Sequence, residues 1–175
     1  MSNKTKPLHP PVTDNHLAGG RGGSALKPGG WIEFQDISPE PLCDDGTMAA
    51  DDPIKYLYEL VKASFAQFGM AVTLPKVLGP RLREAGFASI HRVVKKVPVG
   101  DWARDETLRR IGMYQRTAVL EFLPALAGRP FEALGMPPVE RQVAVALARR
   151  GLQDPRVHRY FEYYFWYAQK PLSPR

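Results

Sequence analysis

One stretch decides how this chain folds: Leu26-Lys-Pro-Gly-Gly-Trp-Ile-Glu-Phe-Gln-Asp36. Its first half has turn chemistry, because proline fixes one φ angle and the two glycines permit positive φ. Its second half, from Trp31 to Ile37, is aromatic and β-branched, which is typical of a strand. A basic turn that leads into a buried strand ending in carboxylates predicts an α/β sheet with a site at the carboxyl end of that strand.

The composition excludes several classes of protein. A chain of 175 residues with 44% hydrophobic residues can form one domain, or part of a larger one, around a packed core. The single cysteine, Cys43, excludes an internal disulfide and any cysteine-cluster metal site. Half of the net charge of +6 lies in residues 1–30, so the remainder is too mildly basic to indicate a specific nucleic-acid surface. With no membrane-spanning run and no secretory signal, the sequence predicts a cytoplasmic or nuclear protein.

The first 25 residues differ in composition from the rest. They are rich in proline, glycine, asparagine and serine, which predicts a disordered tail over 1–25. Gly20-Arg-Gly-Gly-Ser-Ala25 matches the G-x-G-x-x-A pattern of a dinucleotide-binding loop, but that loop needs a strand before it and a helix after it. Residues 13–18 have no strand pattern, and Pro28-Gly29-Gly30 forbids the helix. The pattern therefore favours a flexible tail over a cofactor loop.

From Trp31 onward, strands alternate with pairs of helices. The strand at 31–37 is followed by a predicted helix that Asp52 caps and Pro53 begins. The remaining predicted elements are a helix over 77–85, a strand over 89–97, a helix from Asp105 to about Phe122, a helix from Pro137 to Gly151, and a strand over 157–168. The last strand is aromatic on both faces, which is typical of a central strand covered by helices. Three strands make a narrow sheet, so we expect the sheet to be incomplete.

Apolar spacing assigns a core face to the two long helices near the end of the chain. In the helix that begins at Asp105, the face comprises Leu108, Ile111, Gln115, Ala118, Val119, Phe122 and Leu123. In the last helix, it comprises Val139, Val143, Ala146 and Leu147. Pro124, Gly128 and Pro130 are expected to break the first of these helices, and Gly151 to end the second.

The residues themselves suggest few sites of chemistry. Glu33 and Asp36 lie near the end of the first strand, where a carboxylate could orient a polar substrate or accept a proton. The alternative is that they cap a turn or pair with a basic side chain; both interpretations stay open for Asp36, and the second is favoured for Glu33. The acidic residues Asp44, Asp45, Asp51 and Asp52 lack calcium-loop spacing, so a solvated loop and a helix cap are predicted there. The four histidines are scattered and have no metal-ligand spacing: His9, His16, His91 and His158.

The opening stretch resembles the fifth-strand segment of class I S-adenosylmethionine-dependent methyltransferases, and more narrowly the fungal LaeA-like group associated with secondary metabolism. Further segments resemble that group in the same order along the chain: Asp44-Asp-Gly-Thr47, Leu82-Arg-Glu-Ala-Gly-Phe87, Val97-Pro-Val-Gly-Asp-Trp102, Leu108-Arg-Arg-Ile-Gly112, Val157-His-Arg-Tyr-Phe161 and Tyr167-Ala-Gln-Lys-Pro171. The resemblance covers about residues 26–171.

This resemblance implies a fold. The family has a seven-stranded Rossmann-like sheet whose last strand lies antiparallel between the fifth and the sixth. We therefore expect an α/β chain with a partial methyltransferase sheet of about three strands, the last one antiparallel, and a helical insertion at 104–151. Residues 26–171 would be the C-terminal half of the domain. The family's glycine-rich loop and its acidic position at the end of the second strand have no counterpart here, so we expect no S-adenosylmethionine to bind this chain alone.

The resemblance also implies candidate site residues. Glu33, Gln35 and Asp36 would face the substrate cleft, and Trp102 or Tyr114 would cover the methyl acceptor. The family has no universal catalytic residue to transfer. The first functional hypothesis is a truncated methyltransferase that is inactive alone. The second is a non-catalytic interaction module with a protein partner, and a third, a basic nucleic-acid binder, rests only on the high isoelectric point.

Overall fold

The structure, a computed structural model, describes residues 26–70, 72 and 74–172. Within these ranges the elements are β1 (Trp31–Ile37), α1 (Pro53–Gln67), α2 (Leu74–Glu84), β2 (Ala88–Pro98), α3 (Glu106–Leu126), α4 (Arg129–Glu132), α5 (Pro138–Leu152) and β3 (Tyr160–Gln169). The predicted tail over 1–25, with its glycine motif, lies outside the described residues.

The three strands form one sheet in the order β1-β3-β2. β3 is antiparallel to both neighbours, with Ile37 opposite Tyr163 on one side and Pro98 opposite Tyr160 on the other. β1 and β2 therefore run parallel to each other, on either side of an inserted antiparallel strand. This arrangement confirms the predicted fold class, a mixed α/β chain with a partial methyltransferase-like sheet.

Both faces of β3 are covered, as its aromatic sequence predicts. On one face, Trp166 packs with Leu78 and Leu82 of α2. On the other face, Phe161 joins a larger core to which α1, α3, α4 and α5 contribute. The members of this core that lie on helices are Ile54, Leu57, Tyr58, Val61, Val119, Leu123, Leu126, Phe131, Val145, Ala148 and Leu152. β3 thus connects two cores that lie on opposite sides of the sheet.

The prediction that β1 is a buried strand is wrong. Its side chains alternate between half-buried and exposed, and Trp31 is 49% exposed. The reason is its position, since β1 is an outer strand of the sheet formed by the described residues. The predicted bounds of β1 are confirmed, because turn residues precede it and Pro39 follows it.

Helix α3 differs from its prediction in length and in the face that it buries. It continues through Pro124 to Leu126, because the buried Leu123 and Leu126 hold this last turn against the core. Leu108, Ile111 and Phe122 are exposed, although their spacing predicts a core face. Val119 and Leu123 are buried as predicted, and Gly112 and Leu126 complete the buried face.

Helix α5 buries a different face from the one that the apolar spacing predicts. Val139 is 70% exposed, and Val143 and Leu147 are about half exposed. The core face consists of Ala144, Val145, Ala148 and Leu152. Gly151, the predicted last residue of the helix, is its penultimate residue, and a Cβ there would lie 2.6 Å from Cγ of Pro53. Gly151 lets α5 pack closely against the start of α1.

None of the helices in the described part of the chain is both long and apolar enough to span a bilayer.

Candidate functional site

Three segments of the chain meet at one edge of the sheet. β1 and β2 both end there, and β3 begins there. The segments are residues 38–52, which we call the acidic loop, residues 99–105 after β2, and residues 153–159 before β3. Ligands of open α/β sheets bind outside the carboxyl ends of the strands, so a ligand site is expected at this edge.

The acidic loop is fastened to the start of β3. The backbone of Leu42 pairs with that of Tyr160, with N–H to O distances of 2.9 Å in both directions. The Tyr160 hydroxyl donates to Oδ1 of Asp44 at 2.7 Å, and Lys96 forms an ion pair with the same carboxylate. The loop therefore holds a defined position, which the prediction of a simply solvated Asp44 did not include.

The next residue of the loop forms a pair with a histidine that lies 113 positions further along the chain. Oδ2 of Asp45 lies 2.5 Å from Nδ1 of His158. The other oxygen, Oδ1, accepts hydrogen bonds from the Thr47 hydroxyl at 2.8 Å, the Thr47 amide at 3.1 Å and the Cys43 thiol at 3.1 Å. The Thr47 hydroxyl in turn accepts a hydrogen bond from the His158 amide at 2.9 Å. Asp45 is thus oriented before it meets the imidazole.

These contacts fix the charge of Asp45. Hydrogen bonds from the Cys43 thiol, Thr47 and His158 hold the pKa of the Asp45 carboxyl well below its usual range. An ionised carboxylate can only accept, so Nδ1 of His158 carries the proton that lies between them. In the neutral ring, the lone pair is then on Nε2.

Trp102 forms one wall of this pair. Its ring stacks on the His158 ring, with centroids 4.9 Å apart and an angle of 24° between the planes. Its Nε1 donates to the backbone oxygen of Arg159 at 3.0 Å, which fixes the indole. The His158 side chain remains 36% exposed, so it is held on one side and reached by solvent on another.

The residue that follows His158, Arg159, forms a buried ion pair with Asp52. Arg159 donates to both carboxylate oxygens of Asp52 and, through Nη1, to the backbone oxygen of Gly151 at 3.0 Å. Oδ1 of Asp52 also accepts from the amide of Ile54 at 2.9 Å, which confirms that Asp52 caps α1. The residue next to His158 is therefore tied to two helices.

A cleft of about 690 Å³ lies next to this cluster, but the side chains of Asp45, His158 and Trp102 do not line it. Its lining includes Thr47, Asp51 and Asp52 of the acidic loop, Leu147 and Arg150 of α5, and Arg156 and Arg159 from the segment before β3. The volume is within the range of small-molecule sites, which is roughly 300–1,000 Å³. Thr47 and Arg159 belong both to the cleft wall and to the contacts around His158.

The residues predicted from sequence lie in several places. Glu33 and Gln35 share one face of β1, where Nε2 of Gln35 donates to Oε1 of Glu33 at 2.6 Å. Asp36 is on the opposite face of the strand and accepts from the amide of Ile37 at 2.8 Å. Tyr114 is 77% exposed on α3. Of the five, Trp102 is the one that lies beside the Asp45–His158 pair.

Sequence reasoning does not identify Asp45 and His158 as partners. It treats the first as part of a solvated loop and the second as a scattered histidine. The usable signals are the Asp-Asp-Gly-Thr turn, in which Gly46 has a φ of 75°, and the position of His158 just before an aromatic strand. No group of three or more His, Cys, Asp and Glu residues in the described ranges is placed to hold a metal ion.

The known proteins to which this chain is similar are fungal methyltransferases and regulators of secondary metabolism. No protein-family model matches the chain. It is 30% identical over 155 residues to the probable methyltransferase tdiE of Emericella nidulans, covering 86% of this chain and 48% of that protein. It is 30% identical to the secondary metabolism regulator LAE1 of Cochliobolus heterostrophus and 28% identical to the protein-methionine methyltransferase laeA of Emericella nidulans. These two matches cover 83% and 84% of this chain, and 48% and 40% of the relatives.

The chain thus spans about half the length of the curated relatives that it matches. The sheet order β1-β3-β2, with its antiparallel central strand, agrees with the end of a methyltransferase fold. Sequence resemblance, sheet topology and relatives lead to one conclusion: the chain belongs to the LaeA-like group of fungal methyltransferases and corresponds to their C-terminal half.

Proposed function

We propose that this chain is the acceptor-side half of an S-adenosylmethionine-dependent methyltransferase and does not transfer a methyl group by itself. The observation that carries the proposal is the β1-β3-β2 sheet, in which one antiparallel strand separates two parallel strands whose carboxyl ends share an edge. The proteins that this half resembles are methyltransferases. The helical insertion at 104–151 and the cleft beside Thr47 would help to enclose the acceptor.

The described residues do not fit the cofactor itself. A carboxylate or phosphate ligand binds readily to free amides at a helix N-terminus that follows a strand. Here α1 and α3 follow strands, but Asp52 accepts from the amides of Ile54 and Lys55, and Asp105 accepts from the amide of Leu108. The carboxylates of Asp52 and Asp105 therefore already occupy the amide groups to which such a ligand would bind. We assign cofactor binding to the half of the relatives that this chain does not cover.

The first prediction concerns S-adenosylmethionine binding. We expect calorimetry to show no binding by residues 1–175 alone, because both strand-following helix N-termini described here are capped. A fusion that places the unmatched half of tdiE before residue 26 should gain binding in the micromolar range, with a free energy of about −8 kcal/mol. Circular dichroism of both proteins serves as the folding control. Micromolar binding by the chain alone would contradict the proposal.

A second candidate function, a non-catalytic interaction module, is favoured by one observation. The helical insertion exposes large apolar side chains on two helices, Leu108, Ile111 and Phe122 on α3, and Val139, Val143 and Leu147 on α5. Contiguous exposed apolar surface often marks a contact with another protein. LAE1 of Cochliobolus heterostrophus is named a secondary metabolism regulator, which supports a role beside a protein partner.

The second prediction separates this function from the first. An interaction module should be incompletely stable without its partner, so the chain alone should melt over a broad range and associate as its concentration rises. Thermal unfolding followed by circular dichroism, together with sedimentation velocity, measures both properties. Val143→Lys should reduce the association, whereas Arg149→Lys on the same helix should leave it unchanged. A monomer with a sharp two-state melt would argue against the interaction module.

A further inference from the structure

The Asp45–His158 pair has a chemistry that neither the fold nor the relatives assign. It joins the loop after β1 to the segment before β3, and Trp102, from the segment after β2, stacks on the imidazole. The three segments that meet at this edge of the sheet therefore each place one side chain in the same cluster. Two of these side chains are titratable, and the third is a flat apolar wall.

The cluster holds more contacts than a simple loop tether needs. Oδ1 of Asp45 receives three hydrogen bonds, from the Cys43 thiol and from the amide and hydroxyl of Thr47. This leaves Oδ2 to face Nδ1 of His158. A carboxylate that orients an imidazole through Nδ1 is the arrangement by which hydrolases prepare Nε2 to accept a proton. Here the same relation occurs at the edge of the sheet where ligands bind.

Access to the ring agrees with this role. Stacking on Trp102 protects one side of the imidazole, yet 36% of the His158 side chain remains exposed. The neighbouring cleft is lined by Thr47 and Arg159 but not by the side chain of His158, so the ring is reached from outside that cleft. A ligand at this edge of the sheet would therefore meet the exposed part of the ring, while Trp102 excludes water from the opposite side.

We propose that His158 is a proton acceptor for a hydroxyl, phenol or amine group of a ligand bound at this edge of the sheet, against the exposed part of the ring, and that Asp45 is its positioning residue. That this ligand is the methyl acceptor rests on the proposed function. A hydroxyl, phenol or protonated amine must lose a proton when it is alkylated, whereas a thioether has no proton to lose. The pair therefore selects between classes of acceptor.

The step moves one proton and changes no oxidation state. The O–H or N–H bond of the ligand breaks, and its electron pair remains on the oxygen or nitrogen. The proton forms a bond to Nε2 of His158. The ring then carries a positive charge, which the carboxylate of Asp45 stabilises across the 2.5 Å contact.

The third prediction tests the tautomer and reactivity of His158 on the chain alone, without cofactor or acceptor. Long-range ¹H–¹⁵N NMR at about pH 8, above the ordinary pKa of histidine, should show the proton on Nδ1 and a bare Nε2. Diethyl pyrocarbonate, which acylates a bare imidazole nitrogen, should modify His158 faster than His91 when peptides are followed by mass spectrometry. Asp45→Asn should slow this modification about tenfold, because the carboxylate that fixes the tautomer is lost.

Asp44→Asn is the matched control, since Asp44 is the adjacent carboxylate but contacts Tyr160 and Lys96 instead. It should leave the His158 rate unchanged. A wild-type ring with its proton on Nε2, or equal rates in the Asp45→Asn and Asp44→Asn variants, would overturn the proposal even if Asp45→Asn disturbed the loop. These measurements do not depend on methyl transfer. If the tdiE fusion methylates only thioether sulfur, the acceptor class is wrong while the proposed function stands.

Discussion

Gly112→Ala should destabilise the fold by about 3 kcal/mol or more, which would be the largest effect of adding one methyl group to this chain. A Cβ on Gly112 would lie 1.9 Å from the backbone oxygen of Gly100 and 3.3 Å from Cγ of Pro98. Backbone atoms cannot move aside as a flexible side chain can. Alanine gains about 1 kcal/mol over glycine in helix propensity, which is too little to offset this overlap. Urea unfolding followed by circular dichroism measures the loss.

The crossing of Gly112 over Gly100 also positions the candidate site. The Gly100 amide donates to the Gly112 oxygen at 2.9 Å, which holds α3 against the segment that carries Trp102. Met113→Ala is the control on the same helix, because Met113 is exposed and its loss should change stability by less than about 0.5 kcal/mol. If Gly112→Ala were as stable as the wild type, α3 could not approach the sheet as closely as described.

The elements predicted well from sequence are those whose ends are marked by nearby residues such as glycine, proline or a capping aspartate. The bounds of β1 are confirmed because Gly29 and Gly30 precede it and Pro39 follows it. The start of α1 is confirmed because an aspartate cap followed by proline acts within a few residues. Such signals depend on the backbone nearby, so no knowledge of tertiary contacts is required.

The faces of the long helices could not be predicted in the same way. Helix α5 has two apolar stripes, one that contains Val139 and Val143, and another that contains Ala144 and Ala148. Periodicity favours the first stripe, but the buried stripe is the second, which also contains Val145 and Leu152 and approaches α1 closely where Gly151 meets Pro53. The choice between stripes is made by the neighbouring helix, and its distance is not written in the local sequence.

The Asp45–His158 pair was beyond prediction for a related reason. The two residues are 113 positions apart, and the segments that contain them, Asp44–Thr47 and Val157–Phe161, carry no signal that pairs one with the other. Their meeting depends on the antiparallel insertion of β3, which brings its first residues to the carboxyl end of β1. The position of Asp36 near the end of β1 predicts a site at that edge of the sheet, but the residues that cluster there come from the loops beyond the strands.

Removal of Arg159 should be the other change of large effect. Arg159 and Asp52 are almost completely buried, with 4% and 3% of their side chains exposed. Arg159→Met keeps most of the side-chain volume but leaves the Asp52 carboxylate buried without its cation. We expect a loss of about 3–5 kcal/mol in the free energy of unfolding, the usual cost of one uncompensated buried charge. Urea unfolding at neutral pH measures it.

The matched variant is Asp52→Asn in the Arg159→Met background. An asparagine keeps a side-chain oxygen for the amides of Ile54 and Lys55, so the cap of α1 is retained while the buried charge is removed. The double variant should therefore recover about 2 kcal/mol relative to Arg159→Met alone, which a double-mutant cycle reports as coupling. The guanidinium contacts hold the segment whose backbone oxygen at position 159 accepts from Trp102, so their loss in the single variant should also loosen the stack on His158, seen as a change in indole fluorescence. A loss below about 1 kcal/mol for Arg159→Met, in the range of an exposed ion pair, would mean that water reaches Asp52.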